Sequence, residues 1–456
     1  MDLKDKKILI AGAGISGQGA ACLLGKAGIS ADIYDGNPNL DEDAVRAKLP
    51  EGMEVTFLKG TYEDTYADAY DMLVISPGIP LTAAMPRSFA DRNKPVWGEI
   101  ELAAHFAKGR IAAITGTNGK TTTTALVGSI LKAYYDSVFV VGNIGIPFTG
   151  VALETTEDSV IAAEISRFQL ETAIDFRPQV SAVLNVTPDH LDRHGTMEAY
   201  ADMKCSISKN QTSDQVMILN YDDPITRQMA SKISARPVMF SRVADLEEGI
   251  VLSDGAFVIR DGGKEIRVAG TDEVLLPGSH NQENILAAIG ITYFMGVPAG
   301  VIGEAVKCFR AVEHRIEYVD TVDGVEYYND SKGTNPDAAI KGIRAMSRPT
   351  ILIGGGYDKK SEYDSWIEAF DGRVRYLILM GQTADKIAET ARAHGFTDIV
   401  MASDMEDALK KARSLARPGD AVLLSPACAS WGMFPNYEVR GNVFKEIVRS
   451  FSGENA

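Results

Sequence analysis

The chain has 456 residues, long enough for two to four domains rather than a single core. Hydrophobic residues make up 45% and charged residues 24%, the balance of an ordinary soluble globular protein. With 46 Lys and Arg against 62 Asp and Glu the net charge is −16, which weighs against a nucleic-acid binder, though a local basic pocket for a phosphorylated small molecule is still allowed.

The N-terminus lacks the apolar region of a signal peptide, and no apolar run approaches the roughly 18 residues of a membrane span. Cys22, Cys205, Cys308 and Cys428 form no CxxC pair. A reducing, cytoplasmic setting is expected rather than a zinc site or a disulfide framework.

In chain order, Lys7–Ala11 reads as a strand, Gly12-Ala-Gly-Ile-Ser-Gly17 as a turn and Gln18–Ala27 as a helix. Strands follow at Ala31–Asp35 and Met72–Ser76, and a helical stretch runs from about Trp97 to Phe106. The turn matches G-x-G-x-x-G, with Asp35 ending the next strand about 20 residues on. Alone it is compatible with a nicotinamide cofactor, with any other diphosphate, or with a structural turn.

The strongest local signal comes next. The apolar run Ile111–Ile114 leads into Thr115-Gly-Thr-Asn-Gly-Lys-Thr121, and a helical pattern continues from Thr122 to Lys132. Strand, glycine turn with Lys-Thr, then helix is the layout of a phosphate cradle: backbone N–H groups face the anion, Lys120 reaches the outer phosphates and the Thr121 hydroxyl can ligate Mg²⁺. The strict Walker pattern wants glycine where Ile114 stands. A nucleoside triphosphate is the expected ligand.

Further strands are expected at Val138–Val141, Val160–Glu164, Ser181–Asn185 and Val216–Asn220, then an antiparallel hairpin between about 250 and 268 and a helix from His280. Glu164 ends its strand where Mg²⁺ would be held, or is a solvated strand-end acid. Asp189, His190, Asp192 and His194 crowd the loop after Asn185. Lys204, in the helical stretch Met197–Ile207, reads from spacing alone as surface decoration.

A third α/β unit begins near Val312, with a hairpin turn at Val322-Asp-Gly324 between strands Arg315–Thr321 and Val325–Asn329. Strands at Thr350–Ile353, Tyr376–Met380 and Ala421–Ser425 alternate with helices at Asp337–Ala345, Ala384–His394 and Met405–Ala416. Asn329–Asn335 gathers a carboxylate, an ammonium, hydroxyls and an amide before a helix that Thr334 or Asn335 could cap. Cys428, in the small-residue turn after the last strand, reads as a buried residue rather than a nucleophile.

Taken in order, these segments resemble the Mur ligase family. The resemblance is carried by Gly12–Gly17, Ser76-Pro-Gly-Ile79, Thr115–Thr121, Gly142–Pro147, Glu164–Leu170, Asn185–His194, Lys204, His280-Asn281 with Asn284, His314-Arg315, Asn329–Asn335, and Ser425–Ser430 with Tyr437 and Arg440-Gly441. It implies three α/β domains: a Rossmann-like one over residues 1–98 for a UDP group, a P-loop ATPase-like one over 99–311, and a Rossmann-like one over 312–456 for an amino acid. It thereby turns the first fingerprint from NAD to UDP.

The implied activity is an ADP-forming amide ligase of cytoplasmic peptidoglycan precursor synthesis. Its small-molecule partners would be ATP, UDP-N-acetylmuramoyl-L-alanine and D-glutamate, with no nucleic acid or membrane, and a monomer is expected. By resemblance Lys120, Glu164, His190 and Lys204 are catalytic. Thr121 and Glu164 would hold one Mg²⁺ ion, and His190 and a carbamylated Lys204 a second. Gly116, Thr117, Asn118, Gly119, Lys120, Thr121, Thr122, Asn284, Arg315 and Asp330 would bind ATP. Ile15, Ser16, Asp35, Ser76, Gly78, Asn143 and His190 would bind the UDP substrate, and Lys332, Thr334, Lys359, Ser430 and Tyr437 D-glutamate. Three departures from the family pattern stand out: Arg167 for serine, Gly333 for alanine and Gly432 for aspartate.

Overall fold

A computed structural model describes residues 2–142, 146–187, 196–276, 278–310, 313–346 and 348–453. The chain divides into two compact units, residues 1–309 and 310–456. Three parallel-dominated sheets, two in the first unit and one in the second, build an α/β fold of the three-domain type.

The first sheet comprises β1 (Ile8–Ala11), β2 (Ala31–Asp35), β3 (Phe57–Lys59), β4 (Met72–Ile75) and β5 (Val96–Gly98), ordered β3-β2-β1-β4-β5 and parallel throughout. β1 and β4 are buried at every position because helices cover both faces, which is why each reads as an unbroken apolar run. Strand order reverses between β1 and β4, so a crevice opens at their carboxyl ends beside the Gly12–Gly17 turn.

The second sheet has nine strands: β6 (Arg110–Thr115), β7 (Val138–Gly142), β8 (Val160–Glu164), β9 (Val180–Val183), β10 (Val216–Asn220), β11 (Arg236–Ser241), β12 (Gly249–Ser253), β13 (Ala256–Asp261) and β14 (Lys264–Gly270). Their order is β14-β13-β12-β11-β10-β9-β6-β8-β7, again reversing at the strand that carries the phosphate turn, β6. The expected hairpin is a three-stranded antiparallel meander that continues this sheet. One hydrophobic core runs through both sheets, including Ile10, Ile100, Ile161 and Met217.

The third sheet is ordered β15-β16-β20-β17-β18-β19, formed by β15 (Glu317–Val322), β16 (Val325–Asn329), β17 (Thr350–Gly354), β18 (Val374–Leu379), β19 (Ile399–Met401) and β20 (Ala421–Leu424). Only β15–β16 is antiparallel, and its turn places Asp323 and Gly324 at positive φ as a tight hairpin requires.

Four strands differ from expectation. β3 and β19 are three-residue edges, too short to carry a period. Trp97 lies in β5, not in a helix; the helix begins at Glu99 and ends at Phe106. β11 is not among the expected strands; it contains Pro237, which is tolerated because at that position β11 pairs only towards β10, with β12 joining the ladder later at Phe240 and Ser241. Among the described residues no helix is long and apolar enough to cross a membrane, and all four cysteines are free thiols.

Candidate active site

The Gly12–Gly17 turn is held by its own strand neighbours. Asp35 accepts the Ala13 amide at 2.8 Å and the Asn37 amide at 2.9 Å, and the Ser76 hydroxyl donates to the Ala11 carbonyl at 3.0 Å. A Cβ on Gly17 would lie 1.7 Å from the Gly12 carbonyl oxygen, so the turn closes only with glycine there. Helix Ile15–Lys26 starts from this turn with Ile15 78% exposed and Ser16 half-buried, a free amide end at the crevice. Asp35 thus shapes the turn, whatever else it contacts. Two shallow clefts of about 280 and 410 Å³ open at the opposite edge of this sheet, around Ser30 and Asp32. There Asp32 accepts the Thr56 amide and the Tyr70 hydroxyl, bonds that serve the fold.

In the second sheet the phosphate turn leaves β6 at Thr115, and Gly119 caps helix Lys120–Lys132 at φ +82°. Only glycine suits this corner, since a Cβ would also meet the Asn284 Oδ1 at 2.2 Å. Asn284 is wedged under the turn, accepting from Thr123 and donating to Asn281. Lys120 curls back, its Nζ 2.9 Å from the Gly116 carbonyl and 2.8 Å from that of Thr117.

Register brings the other groups to the same edge. Ile114 of β6 pairs with Glu164 of β8, so this carboxylate, 1% exposed, stands one residue below the turn. Asn185 is stitched across the turn: its carbonyl accepts the Thr117 amide, its side chain accepts the Asn118 amide and donates to the Asn118 carbonyl. Thr117 in turn receives the Thr187 amide and lies 3.3 Å from the Tyr200 hydroxyl. Tyr200 and Lys204 share helix Met197–Cys205, with the Lys204 Nζ 4.6 Å from the Tyr200 ring centroid. Lys204 is only 2% exposed, which corrects the expectation of a surface lysine. Asn143 and His190 lie outside the described residues.

The donor set suits Mg²⁺. Among the described residues no group of three or more His, Cys, Asp or Glu could hold a metal by itself. One buried carboxylate at Glu164 and the buried Thr121 hydroxyl match an ion that takes its remaining oxygens from phosphates and water.

The C-terminal unit has its own cluster at the carboxyl ends of β16 and β20. Asp330 is buried, its amide donating to the Leu424 carbonyl and its carboxylate accepting the Ser425 hydroxyl at 2.7 Å. A Cβ on Gly333 would sit 2.8 Å from that carboxylate and 3.0 Å from the Ser425 Oγ, so the departure from alanine makes room for the pair. Gly432, at φ +84°, occupies backbone that aspartate would strain. Arg167 lays its guanidinium on the Phe168 ring at 4.2 Å. Asn335, not Thr334, caps helix Pro336–Ala345. Lys332 faces the Tyr437 ring at 5.5 Å, and Lys359 faces Trp431 at 4.9 Å. Ser430 is buried, its carbonyl accepting the Phe434 amide.

Two buried charged groups that bridge distant segments escaped sequence reasoning. Arg440, 1% exposed, donates to the Ser331 hydroxyl, the Ser331 carbonyl and the Cys428 carbonyl, tying together the loops that follow β16 and β20. Its pKa is drawn down to about 10 by burial. The Arg440-Gly441 pair carried no role, because its partners lie far away in sequence. Glu99 is the second.

Burial pushes the Asp330 carboxyl up to about 7, against the Ser425 hydrogen bond and the Arg315 charge. The native state therefore holds this proton to higher pH than the unfolded chain does. Stability present below about pH 4 is lost as pH rises through 7, at about 1.4 kcal/mol per unit of displacement. Thermal melts of Asp330→Asn should gain on wild type more at pH 8 than at pH 5. A difference independent of pH would contradict a carboxyl titrating in this range.

Residues 114–292 match the Mur ligase middle domain and residues 314–428 the Mur ligase glutamate ligase domain. The chain is 49% identical to the UDP-N-acetylmuramoylalanine--D-glutamate ligase of Lachnoclostridium phytofermentans, covering 100% of both chains. It is 50% identical to the enzyme of the same name from Lachnospira eligens, over 99% of this chain and 100% of that one. The solved MurF ligase of Thermotoga maritima, in complex with ADP, aligns with a TM-score of 0.55 at 18% identity, covering 85% of this chain and 96% of that one, a likeness of fold.

Proposed function

The chain belongs to the Mur ligase family, and we propose that it joins D-glutamate to UDP-N-acetylmuramoyl-L-alanine, converting ATP to ADP and phosphate. The observation that carries the chemistry is the convergence of Lys120, Thr121, Glu164 and the helix of Lys204 around one phosphate turn at the edge of β6 and β8. The four free thiols suit a cytoplasmic enzyme of peptidoglycan precursor synthesis, and one chain carries every assigned ligand group, so a monomer suffices.

A carboxylate does not acylate an amine near neutral pH. The L-alanyl carboxylate oxygen first attacks the γ-phosphorus; the bond to the β-bridging oxygen breaks, and ADP leaves with that electron pair. The D-glutamate amine then attacks the acyl carbon, phosphate departs and the amine loses a proton. Positioning and charge neutralisation dominate such a transfer. Lys120 turns from its backbone carbonyls to the outer phosphates, while the turn amides cradle the rest. Magnesium, when bound, neutralises charge on the transferred group; Thr121 and Glu164 would hold one ion, His190 and Lys204 as its carbamate a second.

Gly116, Thr117, Asn118, Gly119 and Thr122 would line the nucleotide, with Asn284 towards adenine; Arg315 and Asp330 would also bind it. Ile15, Ser16, Asp35, Ser76 and Gly78 take the UDP end of the acceptor, Asn143 and His190 its muramoyl-alanine end. Lys332, Thr334, Lys359, Ser430 and Tyr437 take D-glutamate. Domain limits at 98/99 and 311/312 go with these assignments.

Phosphate release from ATP should require both the UDP-linked acceptor and D-glutamate. L-glutamate, L-alanine and meso-diaminopimelate should be much poorer. Equal turnover with L-alanine or meso-diaminopimelate would sink the D-glutamate assignment and leave the family standing.

A further inference from the structure

Glu99 opens helix Glu99–Phe106 directly after β5, and its carboxylate is 4% exposed. One oxygen accepts the Thr149 amide at 3.0 Å and the Thr149 hydroxyl at 3.3 Å. The other accepts the Gln169 side-chain amide at 3.2 Å. That bond fixes which way the Gln169 amide faces, because its carbonyl end accepts the amide and hydroxyl of Ser166, both at 2.9 Å. Ser166 is two residues beyond Glu164, and Thr149 sits two residues beyond Pro147. The backbone is pressed into the same place, since a Cβ on Gly98 would lie 2.0 Å from the Thr172 hydroxyl. Burial raises the Glu99 pKa, while the bonds from Thr149 and Gln169 favour its anion.

Glu101, two residues on, offers a contrast. It accepts the amides of Ile174, Asp175 and Phe176 and so clamps one loop to the helix. Glu99 instead spans two segments that flank the strand-end carboxylate of the reaction. We propose that Glu99 is a positioning residue for acceptor binding, setting Ser166 and Gln169 beside Glu164 and anchoring the segment that starts at Phe148. This rests on the acceptor site assigned above.

In Glu99→Gln the new amide must point its NH₂ either at the Gln169 NH₂ or at the Thr149 N–H, so one donor faces a donor whichever way it turns. The KM for UDP-N-acetylmuramoyl-L-alanine should rise about tenfold or more, while the KM for ATP stays within about twofold. The double variant Glu99→Gln with Gln169→Glu restores complementarity: the amide at 99 donates to the carboxylate at 169, which still closes a Ser-x-x-Glu capping box on Ser166. Its acceptor KM should return to within about threefold of wild type.

An unchanged acceptor KM in the single variant, an ATP KM that climbs in step with it, or a double variant no better than the single one overturns the proposal. Should the single variant fail to fold, the double variant decides: folded and restored supports positioning, unfolded overturns it. Absence of D-glutamate-dependent turnover in wild type would instead count against the assigned reaction. Calorimetric binding of the UDP-linked acceptor to wild type and Glu99→Gln would still test this role, with about tenfold weaker binding expected in the variant and equal affinity refuting it.

Discussion

Turnover of a Lys120→Ala variant should fall by roughly 10²-fold or more, with the fold intact. The Lys120 Nζ rests on the Gly116 and Thr117 carbonyls, and the side chain is half-buried at the mouth of the turn. Losing those two bonds removes on the order of 1 kcal/mol each. In the proposed reaction the Lys120 charge matters most as the γ-phosphoryl group transfers, with charge spread over the equatorial oxygens and building on the leaving ADP oxygen. The loss should therefore appear in kcat more than in the KM for ATP. Steady-state phosphate release, with a thermal melt as control, measures both. Near-normal kcat in a well-folded variant would contradict the cradle.

Much of the frame is legible because its cause is local. Continuous apolar strands such as β1 and β8 announce sheets covered on both faces, and the glycines at 12, 17 and 119 mark turns that no Cβ could enter. The same locality explains why the phosphate turn stands out and why Asp323-Gly324 announces a hairpin. What stayed hidden depends on distant partners. Glu99 meets Thr149 and Gln169, 50 and 70 residues on, and Arg440 meets Ser331 109 residues back. No periodicity encodes such bonds. Gly333 is small because Asp330 must reach Ser425, 95 residues away. β11 holds a proline, tolerated because its missing donor falls where no neighbouring ladder asks for one.

Lys204 sharpens that contrast, and Lys204→Ala should be nearly inactive yet folded. Its helix begins at a Thr196 cap, which alanine at 204 leaves untouched, and helix propensity favours alanine. Nothing in its spacing distinguishes it from a surface lysine. Tertiary packing does, because Tyr200, one turn earlier, meets Thr117 of the phosphate turn and draws the helix in until Lys204 is 2% exposed. In the proposed reaction, a buried ammonium this close to the phosphate turn would repel a divalent ion bound there. Reaction of the neutral amine with CO₂, with loss of a proton, makes a carbamate and reverses the sign of the charge. Acetate or another short carboxylic acid should then partly restore Lys204→Ala by supplying an anion in the vacated space. If Lys204 is an exchanging carbamate, depleting bicarbonate should lower wild-type activity. A lysine that merely packs against Tyr200 would show neither effect, because a carboxylate cannot replace its aliphatic stem. A high-resolution map of active enzyme with an unmodified Lys204 amine, together with full activity of Lys204→Ala, would refute the carbamate.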